Sequence, residues 1–356
     1  MESNQGIDPQ SGISDALGPT QASGSILKKL SPLLKIGVAL IALWALVHFN
    51  RLNLSIFGNL EEGWPWLVAA VAIWLPTYGL VSFRFYEVLR MQGVPVSFVQ
   101  ALRWTMIGSF FDLCMPSSSG GDIIKAGYVV KAVGNGNRMR GVMAVTFDRG
   151  IGLLALFLMA WVACAPAWGE LSQMPNGRLL VLLLTAICLG SLACLRLLGS
   201  RMIRNNARVE KLVTSLPLGD KLWALAGTFH AMREQRGRFW AVVALSCGNH
   251  LLACVALYAI CQALGMNVDF LKGLVVFPLA IFSNVFGVAG GFGLGTLGFD
   301  FLFAHLFHIP GGASVGLAFQ VLTAAMRLLG LPFFIWNHNA NTNKAPFNPD
   351  NETISV

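Results

Sequence analysis

At 356 residues the chain is long enough for two soluble domains, but 55% hydrophobic against 12% charged residues and a mean hydropathy of +0.63 describe a polytopic membrane protein instead. That composition leaves no room for a soluble catalytic domain. The net charge of +8 does not imply nucleic acid, because the basic residues lie between apolar runs rather than in a folded basic domain, where they report membrane orientation first.

Residues 1–25 are rich in Gly, Ser, Gln and Asp without apolar periodicity, and a disordered tail with no signal peptide is expected there. A single transmembrane domain follows over 26–336, and an Asn-rich flexible tail over 337–356 closes the chain. Lys28 and Lys29 precede the first span, at about 33–49, and Lys35 lies in its first turn. The second, at 64–83, opens with Trp64 and Trp66 at the interface and is followed by Arg84, Arg90 and Arg103. This pattern places the N-terminus and the loop at 84–103 in the cytoplasm.

From Phe98 to Met115 the chain is apolar but short, interrupted by Asp112 and ended by Pro116. A second short piece, Asp122 to Val133, leads to Lys131, Arg138 and Arg140. Both flanks are basic, so both belong on the cytoplasmic side, and a re-entrant hairpin turning at 116–121 satisfies both. Non-helical backbone at membrane depth needs protein or water to satisfy it, and the hydroxyls of Ser117, Ser118 and Ser119 suit that task.

Full spans are expected at 141–165, from the loop at 170–178 to about Leu198, at 239–263 and at 312–336, giving about six in all. The polar insert at 199–237 carries an excess of Arg and Lys and is read as cytoplasmic, either as amphipathic helices on the headgroup layer or as a solvated loop. Between the last two spans lies another short, glycine-broken pair: Phe270 to Phe286, the sequence GVAGGFGLGTLG, and Phe299 to Phe307. By this orientation the second pair starts outside. The expected fold is therefore all-α, with two oppositely oriented re-entrant hairpins in an inverted repeat and both termini cytoplasmic. In such repeats substrate sites form near the midplane.

Ionisable groups at membrane depth cost about 2.5–3.5 kcal/mol each on insertion scales, so their concentration between Gly108 and Lys125, with Asp148 and Arg149 downstream, points to a polar path. The candidate substrate residues are Asp112, Ser117, Ser118, Ser119, Gly120, Gly121, Asp122, Lys125, Asp148, Arg149 and Arg327, with Gly290, Gly291 and Gly293 of the second hairpin. Asp148 and Arg149 project about 100° apart on a helix and each needs its own partner. Asp112, Asp122 and Lys125 are the natural counter-charges, with Arg84 and Arg327 as further candidates. The network serves a path or a purely structural lock. The N–H groups of Gly120, Gly121 and Asp122 suit either a phosphate or a cap from Ser119.

Other motifs read more simply. Gly293, Gly295 and Gly298 match GxGxxG but lack the strand and downstream acid of a dinucleotide site, so close backbone approach is expected. Cys247, Cys254 and Cys261 repeat every seven residues, about 10 Å apart along a helix, and are read as small packing residues. Asn249 and His250 are expected to make interhelical hydrogen bonds, and His305 and His308 lack a third metal ligand. No metal or cofactor is expected.

The run PSSSGGDIIKAGYVVKAVG, followed by AVTFDRGIGLLAL and later by GVAGGFGLG, resembles the membrane region of the lysylphosphatidylglycerol synthase family over about Leu33 to Trp336. In the larger members this region is the lipid-flipping part, joined to a soluble aminoacyl-transferase domain; relatives without that domain are linked to glycolipid, polyprenyl or hopanoid pathways. The resemblance implies a stand-alone translocase of the inner membrane that does not itself make lysyl-lipid. Its substrate would be a membrane lipid, and its open partners a lipid-modifying enzyme and a second copy of the chain. Lys125 stands where arginine is expected, and Gly295 and Thr296 where the family often carries Arg-Glu. The alternative is a membrane-embedded enzyme or subunit of lipid modification, with Asp148 or Asp122 as base.

Overall fold

The structure, a computed structural model, describes residues 54–115, 120–133, 138–198, 206–215 and 234–342, with isolated positions between 37 and 48, at 200 and between 219 and 229. The N-terminal tail, most of the first expected span, Ser117, Ser118, Ser119 and much of the insert lie outside those residues. Among the described residues the chain is helical, apart from loops and one isolated bridge between Val288 and Phe292.

Helix α1 (Leu60–Met91) is longer than its apolar run suggests. Glu61 and Glu62 sit in its first turn, where the helix dipole favours them. Arg84 does not end it. The helix continues to Met91 and stops where Gly93 takes φ 69° and the Val94 N–H reaches back to Leu89 O at 3.0 Å. Helices α2 (Phe98–Cys114) and α3 (Gly120–Val133) form the first short pair. A capping box opens α2: Ser97 accepts from the Gln100 N–H, and the Gln100 side chain accepts from the Ser97 N–H. Then come α4 (Arg138–Ala163), α5 (Gly177–Leu198), the short polar α6 (Ala207–Thr214) and α7 (Arg236–Ala263).

The second short pair is α8 (Phe270–Ser283), begun by an Asp269 cap on the Lys272 N–H, and α9 (Leu294–Leu302). Its second arm starts five residues earlier than expected, so Gly295 and Gly298 lie inside a helix. The expected last span is two helices, α10 (Gly312–Arg327) and α11 (Gly330–Thr342). The break sits where Gly330 presses against the Met106 carbonyl of α2, a contact that leaves no room for a side chain.

Among the described residues, five helical stretches are long and apolar enough to cross a membrane: Phe57–Met91, Gly141–Ala163, Gly177–Leu197, Arg236–Ala263 and Gly312–Trp336. Their outer faces are apolar too. Leu182 is 65% and Trp64 61% exposed, an arrangement suited to lipid rather than water. The short helices differ. At 1.5 Å per residue α2 is about 25 Å long, α3 and α8 about 21 Å and α9 about 14 Å, all under the roughly 30 Å hydrocarbon core.

The α1/α7 pair is the axis of the molecule. It is antiparallel and tied at both ends: Asn59, before α1, donates to Leu264 O after α7 at 3.0 Å, and Gln235, before α7, donates to Met91 O at 3.1 Å. Gly63 lies against the Ala263 carbonyl, the close approach that small residues allow in membrane helices. Two apolar cores form along this axis. One gathers Phe85, Leu89, Trp104, Val129 and Phe147 around the first short pair, and the other gathers Leu257, Phe277, Phe299, Phe303 and Phe319 around the second. Cys254 and Cys261 are buried in the second core and Cys247 packs against the first, which is the packing role expected of the stripe.

Because α1 and α7 run in opposite directions, and each short pair starts directly after one of them, the two pairs start from opposite ends of the axis. The order long helix, short pair, helix occurs twice: α1, α2/α3, α4 and α7, α8/α9, α10.

Candidate functional site

The first short pair is held together by backbone contact. Any Cβ at Gly121 would collide with the Gly108 carbonyl, so the two arms approach as only glycine permits. This closeness brings Asp112 to the start of α3, where its Oδ1 accepts from the Gly121 N–H at 2.7 Å. An ionised acceptor at a helix N-terminus is favoured by both the hydrogen bond and the dipole. The acceptor at this N–H is Asp112, and Ser119, the cap the sequence suggests, lies outside the described residues. Gly120 abuts the Met115 side chain.

One turn into α3, Lys125 is buried, with its ammonium 3.6 Å from Asp122 and 5.5 Å from the centre of the Phe85 ring. Asp122 also pairs with Arg149 of α4, as the charge reading anticipated. Asp148 turns the other way. Its carboxylate takes a two-pronged contact from Arg84 of α1, Nε to Oδ1 at 2.8 Å and a second guanidinium nitrogen to Oδ2 at 2.9 Å. Arg84 is 7% and Asp148 3% exposed, so this is a buried pair. The sequence sets Arg84 just beyond the second span but also among the candidate counter-charges; the structure keeps it inside α1 and pairs it with Asp148, so the helix passes through it. His250 of α7 meets the Gly152 carbonyl of α4 at 2.9 Å, the interhelical bond expected of it.

The second pair is joined by a glycine loop. Ala289, Gly290, Gly291 and Gly293 all have positive φ, and the Gly291 N–H bonds Val288 O while Phe292 and Val288 exchange backbone bonds. Gln320 of α10 fastens the loop, donating to Asn284 Oδ1 at 2.9 Å and Gly291 O at 3.0 Å while accepting from Thr296 at 2.8 Å. Within α9, Gly295 packs on Asn284 and Gly298 on Ser283, the close approach expected of the GxGxxG glycines. Arg327 of α10 lies over Gly290 so closely that a Cβ there would strike its guanidinium.

Arg327 also faces a cavity of about 180 Å³ between α1, α2, α7 and α10. Asp112 and Lys125 of the first pair line it with Arg327, and Asp112 lies within electrostatic reach of Arg327. Thr77 and Tyr78 of α1, Thr105 and Ser109 of α2, Asn249 of α7 and Thr323 of α10 complete its polar wall, while Trp74, Val81 and Ala253 give apolar contact. Thr105 Oγ1 and Asn249 Oδ1 are buried and have no hydrogen-bond partner among the described residues. Such atoms cost about 1–3 kcal/mol each when left unpaired, so they call for a polar occupant. At about 30 Å³ per water the space matches roughly six waters or one small headgroup.

The predicted residues therefore divide. Asp112, Lys125 and Arg327 meet at the cavity; Gly121 and Asp122 hold two of its charged walls in place, and Gly290 seats the third. Asp148, Arg149, Gly291 and Gly293 are not in its lining. Ser117, Ser118 and Ser119 lie outside the described residues. The reading missed Thr77, Tyr78, Thr105, Ser109 and Thr323. Two of these carried a signal, since Thr323 stands four residues before Arg327, and Ser109 four after Thr105 and three before Asp112, which puts them on the same faces.

Compared with known families, residues 33–330 match the model described as the lysylphosphatidylglycerol synthase TM region. Neither a curated protein nor a solved structure matches the chain.

Proposed function

The chain belongs to the lysylphosphatidylglycerol synthase transmembrane-region family, which ties it to lipid modification or translocation, and from that premise we propose that it is a lipid translocase of the inner membrane. Its substrate is a phospholipid, glycolipid or polyprenyl- or hopanoid-type amphiphile, whose headgroup crosses by way of the cavity between the two short pairs. The observation that carries this reading is the cavity itself: two cations and one carboxylate, ringed by hydroxyls and by two buried polar atoms without partners among the described residues. Moving a charged headgroup through bare hydrocarbon costs tens of kcal/mol. Lys125, Arg327, Asp112 and the hydroxyls replace its water, and the surplus of one positive charge favours an anionic headgroup.

The re-entrant reading of the short pairs supports the same path. Within the first pair Trp104 of α2 stacks on Tyr128 of α3, and Val133 at the far end of α3 packs against the same apolar core as Met91 and Val94, which supports a pair that turns back toward its starting end. Leu306 and Ile309, beyond α9, pack against the same apolar core as Met266 and Val268 after α7, which supports a similar return of the second pair. Arg327 then touches both halves, the first through the cavity and the second through Gly290. With the basic ends of α1, α4 and α7 in the cytoplasm, both termini are cytoplasmic.

The test is reconstitution of the purified protein in vesicles holding fluorescent phosphatidylglycerol, with leaflet position read by an impermeant quencher and lipid identity by mass spectrometry. Wild type is expected to move unchanged lipid, and Arg327→Met to slow it about tenfold or more, since a hydrogen bond to a charged group contributes about 1.5–3 kcal/mol. Headgroup turnover by the purified protein would favour the membrane-embedded enzyme instead. Equal movement by wild type and Arg327→Met would remove the cavity from the path.

A further inference from the structure

A second, larger recess of about 490 Å³ opens between α4, α5 and α7, at the end of the bundle where α1 stops and α7 starts. Its floor is aromatic. Phe147 is buried, with the Phe229 ring edge-on at 4.8 Å and the Phe239 ring tilted at 6.5 Å, and Leu192 and Leu195 of α5 form the side. Two guanidinium groups, Arg196 at the end of α5 and Arg236 at the start of α7, stand at its rim with the exposed Trp240. Among the described residues no carboxylate lines it. The neighbouring cations differ in this respect, since Arg90 lies 3.2 Å and Arg238 4.0 Å from Glu87.

From this charge complementarity we propose that the recess is a binding site for one anionic phospholipid of the adjacent leaflet, separate from the polar cavity around Arg327. The phosphate lies between Arg196 and Arg236, and the upper part of one acyl chain lies on Phe147, Phe229 and Leu192. The volume falls in the range of small-molecule sites, about 300–1,000 Å³. Trp240 sits at headgroup level, where its amphipathic ring is favoured. Paired basic groups beside an apolar slot between membrane helices select phosphate-bearing lipid over zwitterionic lipid on the cytoplasmic side. Arg binds phosphate with a planar two-pronged fork, which Lys cannot reproduce.

The proposal is tested by native mass spectrometry of the full-length protein from detergent, titrated in parallel with phosphatidylglycerol, phosphatidylcholine of the same chains, and inorganic phosphate. Wild type is expected to retain one phosphatidylglycerol about tenfold more tightly than phosphatidylcholine, and inorganic phosphate is expected not to compete. Arg196→Gln with Arg236→Gln should abolish that preference. Leu192→Trp, which fills the slot without touching a charge, should lower retention of the tight lipid. Equal retention of both lipids by wild type, an unchanged preference in the double variant, or competition by inorganic phosphate would overturn the site. Arg327→Met, which alters the separate cavity, should leave this preference intact; its loss there would place the lipid at the cavity instead.

Discussion

Replacing Asp148 with Asn leaves the Arg84 guanidinium in a buried site without its counter-charge. The wild-type pair has two hydrogen bonds of 2.8 and 2.9 Å and side chains only 9% and 5% exposed, so solvent offers little compensation. Removing one partner of such a pair costs about 3–5 kcal/mol, a loss of two orders of magnitude or more in the folding equilibrium. Ser246, whose hydroxyl meets the same guanidinium at a long 3.4 Å, does not take over. The double variant Arg84→Met, Asp148→Leu removes both charges and keeps apolar volume, so it should recover most of the loss. Unfolding in mixed micelles, followed by helix signal for wild type, both single variants and the double, gives the coupling energy. A value of about 2 kcal/mol or more is expected, within the range seen for residues in contact. Additive effects, or a single-variant cost below about 1 kcal/mol, would refute the buried-pair account and return Asp148 to the substrate path.

Three further outcomes follow from the geometry. Asp112→Asn keeps an acceptor for the Gly121 N–H whereas Asp112→Ala does not, so the alanine variant should be less stable by about 1 kcal/mol, and equal melting temperatures would show that this cap contributes nothing. Gly290→Val must hold φ near 90° at a cost of about 1–2 kcal/mol and must displace Arg327, so it should stop lipid movement, whereas Gly127→Ala, with open space around it, should not; wild-type movement in Gly290→Val would detach Arg327 from the mechanism. In a background cleared of its seven cysteines, a single cysteine at the exposed Gln173 should react with an impermeant thiol reagent from outside intact cells and one at the exposed Arg208 should not, the reverse pattern overturning the orientation.

The local elements were legible in the residues because they rest on short-range physics. The apolar runs marked the spans and the short pairs, whose expected starts at Phe98 and Phe270 match those of α2 and α8. Asp122 and Arg149 could be matched from sequence because they lie on consecutive helices joined by a short loop, each among few charges in an apolar segment. The family, too, was written in the glycine and serine run and in the AVTFDRG segment. The structure alone chose the partner of Asp148, since several cations were available and only the packing of α4 against α1 and α7 brings Arg84 there, 64 positions away. It also extended α1 through Arg84, brought Asp112 to the Gly121 N–H at the start of α3, and laid Arg327 over Gly290 while turning it toward Asp112 and Lys125. A helix's sequence fixes which side chains share a face, but not which neighbour that face meets. In a membrane, where apolar surface is satisfied equally by lipid and by protein, close packing through glycine and the pairing of buried polar groups decide the neighbours, and those contacts exist only once the helices are assembled.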